Sequence, residues 1–199
     1  EQALDEGLRL FEKEKAIQSQ GVVWVYRSLR TLLMARENPH SADSMLQSSI
    51  QPAQRALELA DEDARTDAPT PRDYIRAHGL LGASHRSNGE LEKAEKHLSE
   101  SLRRCRAINM VDHEAAILLE NSKLLHSQSS QGSHEKALSY AQEALTITER
   151  SGYVLQGADV NIWLARLALE GYRLRVEGEG LSDRELAKEY AQKALQLAH

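Results

Sequence analysis

The chain has 199 residues, of which 41% are hydrophobic, and this is enough to bury a substantial core. Its formal net charge of −5 leaves no broad excess of lysine and arginine to attract nucleic acid or an anionic membrane. Helix-forming residues recur throughout, whereas proline occurs four times and aromatic residues make up 5%. We therefore expect an all-α protein that binds neither nucleic acid nor membrane.

Cysteine usage and the amino terminus bear on location. The single cysteine, Cys105, excludes an intrachain disulfide and favours a reducing compartment, so we expect a cytoplasmic protein. No apolar run approaches the roughly 18 to 20 residues of a membrane span, and residues 1–15 are too charged for a signal peptide. Because the chain starts at Glu1 with helical pattern from the outset, the sequence is compatible with an excerpt of a longer protein.

The amino-terminal half begins with an amphipathic helix over residues 1–18, which we interpret as a partial repeat or a capping helix. A first repeat is predicted over residues 21–66. It contains Trp24, for which we favour core packing over a role as a groove anchor.

The main signal is internal repetition. The segment Ala53–Ala60 is echoed at residues 141–148 and 191–198, with a weaker copy at residues 98–102. These segments start between 43 and 50 residues apart, which is long enough for two helices and two turns. Because a single helical hairpin cannot bury both faces, the pattern predicts stacked helix-turn-helix units.

The second repeat, residues 71–108, has the clearest boundaries. Thr70-Pro71-Arg72-Asp73 is typical of a helix start, and Asn88-Gly89 predicts the turn. The apolar face of the first helix contains Ile75, His78, Leu81, Gly82 and His85. That of the second contains Leu91, Ala94, Leu98, Leu102 and Cys105, and the small residues Ala94 and Ser101 favour close approach of a neighbouring helix.

Two further repeats are predicted over residues 110–151 and 155–199. Gly152 marks the end of a helix, and Ser182-Asp183-Arg184-Glu185 predicts the start of the last one. We interpret residues 127–133 as a solvated turn in preference to a phosphorylation or recognition loop, and residues 177–180 as a flexible acidic turn. For Trp163, as for Trp24, core packing is favoured over a groove anchor.

His78-x-x-Leu81-Gly82-x-x-His85, followed by Ala94-x-x-x-Leu98, resembles the signature of the tetratricopeptide repeat. The resemblance implies a single domain over residues 1–199, folded as a right-handed superhelix (an α solenoid) of about four antiparallel repeats plus an amino-terminal helix. The observed period exceeds the family's usual length of about 34 residues. It is similar to the long-helix relatives found in multidomain signalling ATPases and transcription activators.

In this family the first helix of each unit lines a concave groove, so the resemblance also implies a site. The residues carried over as groove residues are Arg76, Arg86, Ser122, His126, Asp159 and Arg166, with Gly79, Ala83, Ser129 and Ile162 at neighbouring positions. The lysine and asparagine pattern with which some relatives hold a peptide's terminal carboxylate is incomplete, so no carboxylate clamp is predicted.

The sequence motifs do not indicate catalytic activity or metal binding. The phosphate-binding, dinucleotide-binding and nucleophile-elbow patterns are missing from the sequence, and the His113-Glu114 and His134-Glu135 pairs lack the second histidine of a zinc helix. The eight histidines are dispersed, and we assign them to packing, as we do Cys105. We expect that the chain is not an enzyme and that it binds neither a cofactor nor a metal.

The leading hypothesis is therefore a protein-interaction scaffold that binds a peptide or helix of a partner protein in the concave groove. An alternative is a regulatory or sensory segment of a larger signalling ATPase or transcription regulator. A third hypothesis is an all-helical enzyme with an unrecognised site, but the spacing of the candidate catalytic residues does not require it. A homodimer through uncapped terminal repeats is also compatible with the sequence.

Overall fold

The computed structural model describes residues 1–128, 131–171 and 182–198, and the regular elements in these ranges are helices. This confirms the all-α fold class. The α-helices are α1 (Gln2–Lys13), α2 (Ile17–Glu37), α3 (Ala42–Asp63), α4 (Pro71–Ser87), α5 (Leu91–Ala107), α6 (Val111–Ser127), α7 (Gln131–Ser151), α8 (Val154–Leu169) and α9 (Asp183–Ala198). A short 3-10 helix, Pro39–Ser41, precedes α3.

The helices group into two compact units, Glu1–Met110 and Val111–His199. In the first unit α2 packs on α3, α4 packs on α5, and α4 also contacts both α3 and α2. In the second unit α6 packs on α7, α8 packs on α9, and α8 also contacts both α7 and α6. Within each unit, helical hairpins therefore stack side by side, which is the packing of a helical repeat solenoid.

The α4–α5 hairpin is tightly packed at the predicted small residue. Leu81, Ala94 and Leu98 are fully buried, as the sequence pattern predicts. Gly82 lies against Leu98 so closely that a Cβ atom on Gly82 would stand 2.4 Å from Leu98 Cγ. Only glycine fits at this position without movement of a buried leucine.

Three serine hydroxyls link paired helices through hydrogen bonds to backbone carbonyls. Their Oγ atoms donate from Ser28 to Ser49 O (2.9 Å), from Ser101 to Ile75 O (2.7 Å) and from Ser122 to Ala137 O (2.6 Å). All three serines are fully buried. A small side chain that bonds across the seam lets two helices approach closely without leaving an unsatisfied hydroxyl, as predicted for Ser101.

The amino-terminal ends of α9 and α4 are stabilised by two different kinds of hydrogen bond. At α9 the predicted capping box is formed: the Ser182 N–H donates to Glu185 Oε2 at 2.8 Å, and the Glu185 N–H donates to Ser182 Oγ at 3.3 Å. At α4, proline occupies the first turn, but the Thr70 hydroxyl makes no capping bond. Instead the Thr70 N–H donates to the buried Asp63 carboxylate at 2.6 Å, which ties the start of α4 to the end of α3.

Candidate partner-binding surface

The first two predicted groove residues, Arg76 and Arg86, are partly exposed on α4. Arg76 Nη1 lies 3.8 Å from the Asp73 carboxylate, and Arg86 Nη2 lies 3.5 Å from Ser87 Oγ. Burial raises the pKa of Asp73, although a hydrogen bond from Gln18 and the charge of Arg76 act in the opposite direction. Gly79 and Ala83, also on α4, are partly exposed, so this face of the helix is accessible and carries positive charge.

In the second unit, His126 and Arg166 meet at one acidic residue. His126 Nε2 is hydrogen-bonded to Glu170 Oε2, and Arg166 Nε donates to Glu170 Oε1 at 3.0 Å. Partial burial acts to raise the pKa of Glu170, but the hydrogen bonds from His126 and Arg166 outweigh it and the pKa is lowered. This network connects the carboxyl ends of α6 and α8.

Trp163 lies beneath this network and belongs to the core. The sequence favours this position over a role as a groove anchor. The His126 ring meets it edge-on with 5.2 Å between ring centroids, and the Arg166 guanidinium lies 5.5 Å from its ring centroid. Its indole N–H donates to Ser122 Oγ at 2.8 Å. Trp163 thus joins α8 to α6 from the inside.

Ser122 is consequently not a surface residue. Its side chain is fully buried, and its hydroxyl accepts from Trp163 while donating to Ala137 O. The family pattern places this position on the groove side of α6, but the indole of α8 covers it here. Ser122 therefore lies beneath the network of His126 and Arg166 and is linked to it through Trp163.

The outer face of α8 carries an aliphatic stripe that sequence reasoning found only in part. Leu155, Ile162 and Leu169 are 77%, 59% and 66% exposed. They are spaced seven residues apart, so they lie along one side of the helix with a drift of about 20° per step. Asp159 and Arg166 lie between them and are also exposed. Of these five residues, the family pattern supplied Ile162, Asp159 and Arg166, but not the two leucines.

The first unit exposes large apolar side chains as well. Tyr26, Leu29 and Leu33 on α2 are 56%, 38% and 46% exposed. The other tryptophan, Trp24, is partly exposed, with the Arg27 guanidinium 4.6 Å from its ring centroid. Exposed apolar positions therefore occur on the first helix of a hairpin in each unit.

Some predicted features lie outside the described residues, namely Ser129 and the acidic turn at residues 177–180. Among the residues that are described, no group of three or more histidine, cysteine, aspartate or glutamate side chains is arranged to hold a metal ion. No helix in the described part of the chain combines the length and apolarity that crossing a bilayer demands.

Stacked helical hairpins with partly exposed first helices define a helical repeat protein. Residues 73–150, from the first turn of α4 to the end of α7, match the tetratricopeptide repeat family model, so this part of the chain is similar to that family. No curated protein matches the chain. Tetratricopeptide repeats are a non-catalytic scaffold family that generally mediates protein–protein interactions.

Proposed function

We propose that the chain is a protein-interaction scaffold and that α8 carries the main contact surface for a partner helix or apolar peptide. The observation behind this proposal is the stripe of Leu155, Ile162 and Leu169, each more than half exposed. Single exposed aliphatic residues are ordinary on protein surfaces, but three at regular spacing on one helix form an apolar row along one face. Covering such a patch releases about 25 cal/mol for each Å² of apolar surface removed from water.

The spacing and charge of the stripe favour a particular kind of partner. Residues seven apart match the apolar repeat of an amphipathic helix, whose side chains would lie between the three aliphatic residues. Asp159 and Arg166 alternate with the aliphatic residues, and Arg166 is held at 3.0 Å from Glu170. A partner with a basic residue opposite Asp159 and an acidic residue opposite Arg166 would bind in one register.

Arg76 and Arg86 are proposed as a second contact area, on α4 of the first unit. Their guanidinium groups are suited to carboxylates of a partner because they donate in a planar, bidentate geometry. We propose that these two arginines select partners by their charge and that the α8 stripe provides the binding affinity.

The test is selection of binding peptides from a displayed random library on the wild-type chain, followed by affinity measurement with fluorescence anisotropy. We expect enriched peptides to carry apolar residues three, four or seven apart. Ile162→Glu places a charge in the centre of the stripe and should raise the Kd of a selected peptide at least about tenfold, since one tenfold step corresponds to about 1.4 kcal/mol.

The matched control is Leu195→Glu on α9, where an aliphatic side chain in the same unit is 61% exposed but lies off the stripe. Its Kd should equal that of the wild type, and circular dichroism should show both variants folded. Equal Kd values for Ile162→Glu and wild type would show that α8 is not the contact surface. The Arg76→Glu/Arg86→Glu double variant then reports separately on α4.

A cytoplasmic location and a role in signalling belong to the same proposal. The location is supported by the cysteine usage, since the single cysteine, Cys105, is buried on α5 and its thiol donates to Met110 O at 3.0 Å, which is compatible with a reducing compartment. Self-association through the α8 stripe is distinguished by sedimentation velocity: a dimer of the wild type that dissociates in Ile162→Glu would make the partner a second copy of this chain.

A further inference from the structure

Three histidines meet at the seam between α4 and α5 in the first unit. His78 and His85 lie seven residues apart on α4, and His97 lies on α5. His78 Nδ1 and His97 Nδ1 are 2.9 Å apart, and the two rings are tilted with centroids 5.2 Å apart. The His85 ring stacks on His97 with centroids 5.6 Å apart, and His85 is buried. His97 is therefore in contact with both histidines of α4.

The hydrogen bond between His78 and His97 requires that at least one of the two rings is neutral. One Nδ1 must carry the proton and the other must accept it. If both rings become cations, two N–H groups point at each other, the bond is lost, and two positive charges stand in contact across the seam. The α4–α5 contact therefore depends on how many protons the cluster holds.

The charged groups around the cluster come from two helices and one turn. They are Asp61 on α3, Lys96, Glu100 and Arg104 on α5, and Glu90 in the turn between α4 and α5. Hydrogen bonds from Arg103 and Arg104 lower the pKa of Glu100 to about 2, so its charge is already shared with two arginines. Asp61 accepts a hydrogen bond from the Tyr74 hydroxyl at 2.6 Å.

Among the charged groups of the described residues, the carboxylate bonded directly to a ring of the cluster is that of Glu90, which accepts from His85 Nδ1. Burial, followed by the charges of His78, His85 and Lys96, lowers the pKa of His97 to about 4. Burial and the charge of Arg104 also lower the pKa of His78, although Glu100 and Asp61 oppose this.

We propose that His78 and His97, with the His85 ring stacked on His97, form a proton-sensitive joint that holds α4 against α5 while the His78–His97 pair is neutral and loosens as that pair is protonated. The inference rests on the geometry of the cluster and is independent of the proposed partner surface. A histidine whose pKa is lower in the folded chain than its ordinary value near 6.5 is protonated first in the opened state as the pH falls. The stabilisation is complete above about pH 6.5 and is lost progressively towards about pH 4.

The size of the effect follows from the change in His97 alone. With a pKa near 6.5 in the opened state and about 4 in the closed state, lowering the pH from about 7.5 to about 5.5 favours opening about tenfold. Partial exposure of His97 and its screening by water reduce this figure, and the lowered pKa of His78 adds to it.

The experiment is hydrogen exchange of the wild-type chain at both pH values, expressed as protection factors so that the intrinsic pH dependence of exchange is removed. Protection of α4–α5 amides should fall several-fold at low pH relative to α8–α9 amides in the same molecule. His97→Gln, which keeps a hydrogen-bonding side chain but does not titrate in this range, should abolish most of the extra loss. The control His40→Gln, at an exposed histidine outside the cluster, should leave it unchanged.

An NMR titration of the wild-type imidazole protons makes the test independent of whether a variant folds. The pKa of His97 should lie near 4, and that of His78 should also lie below the ordinary histidine value near 6.5. The proposal is overturned if the His97 ring titrates at about 6.5, if α4–α5 and α8–α9 lose protection equally, or if His97→Gln retains the full pH effect.

Discussion

Both α4 and α8 contain a buried glycine that faces a neighbouring helix, but the two seams differ in how much room they leave. A Cβ atom on Gly82 would stand 2.4 Å from Leu98 Cγ, whereas a Cβ atom on Gly157 would stand 3.3 Å from Leu197 Cδ1. Leu98 is fully buried, so moving it aside disturbs the core, while Leu197 is partly exposed near the end of α9. The outer faces differ too, since α4 presents arginines and α8 presents aliphatic side chains. The closeness of helix packing and the chemistry of the exposed face therefore both differ between α4 and α8, although both helices belong to the same repeat pattern.

The largest expected effect is at the tight seam. Gly82→Ala should destabilise the chain by about 2 kcal/mol or more, because displacing Leu98 costs more than the roughly 1 kcal/mol that alanine contributes to helix propensity. Urea unfolding followed by circular dichroism measures the change.

The control for this substitution is Gly7→Ala on α1, where a Cβ atom would meet only Phe11 Cε2 at 4.0 Å. It should stabilise the chain by up to about 1 kcal/mol. If both variants behave alike, the α4–α5 seam is not as close as described, and the contrast with α8 disappears.

The buried serines give a second comparison of the two units. Ser101→Ala in the first unit should cost about 1 kcal/mol, since the Ile75 carbonyl that Ser101 contacts is already part of a helix. Ser122→Ala in the second unit should cost about 1 to 3 kcal/mol, because the Trp163 indole N–H also loses its acceptor inside the protein. Unfolding curves of the two variants measure the difference, and equal costs would contradict the linking role of Ser122.

The smallest effect is expected at the looser seam. Gly157→Ala should change the free energy of unfolding by no more than about 1 kcal/mol, since a small shift of Leu197 offsets the gain in helix propensity. A loss as large as that of Gly82→Ala, measured in the same urea series, would show that both seams are equally tight.

The fold could be predicted from the sequence because its signals are local. The Ser182 and Glu185 capping box and the stripe of Ala94, Leu98 and Leu102 each depend on residues within one helix. The start of α4 was located correctly, but the amide of Thr70 is bound by Asp63 from the preceding helix, a partner that no capping rule identifies.

The site was less predictable because it depends on contacts between helices. Ser122 is buried by Trp163, which lies 41 residues further along the chain. The seven-residue spacing of His78 and His85 is visible in the sequence, but the third ring, His97, comes from another helix. The α8 stripe was missed in part because α8 is apolar on its buried side as well, so composition alone does not distinguish the face that packs from the face that is exposed.

The serine hydroxyls between the helices also constrain how the paired helices can slide. Moving one helix along its partner by a single residue, about 1.5 Å, would take the donors of Ser28, Ser101 and Ser122 away from their carbonyls and leave buried hydroxyls unsatisfied. Leucine and alanine side chains penalise such sliding less sharply, since apolar contacts are not directional. The three hydroxyls therefore help to fix the axial alignment of the paired helices. A chain with alanine at all three positions should keep its helices but lose the single axial alignment of each pair.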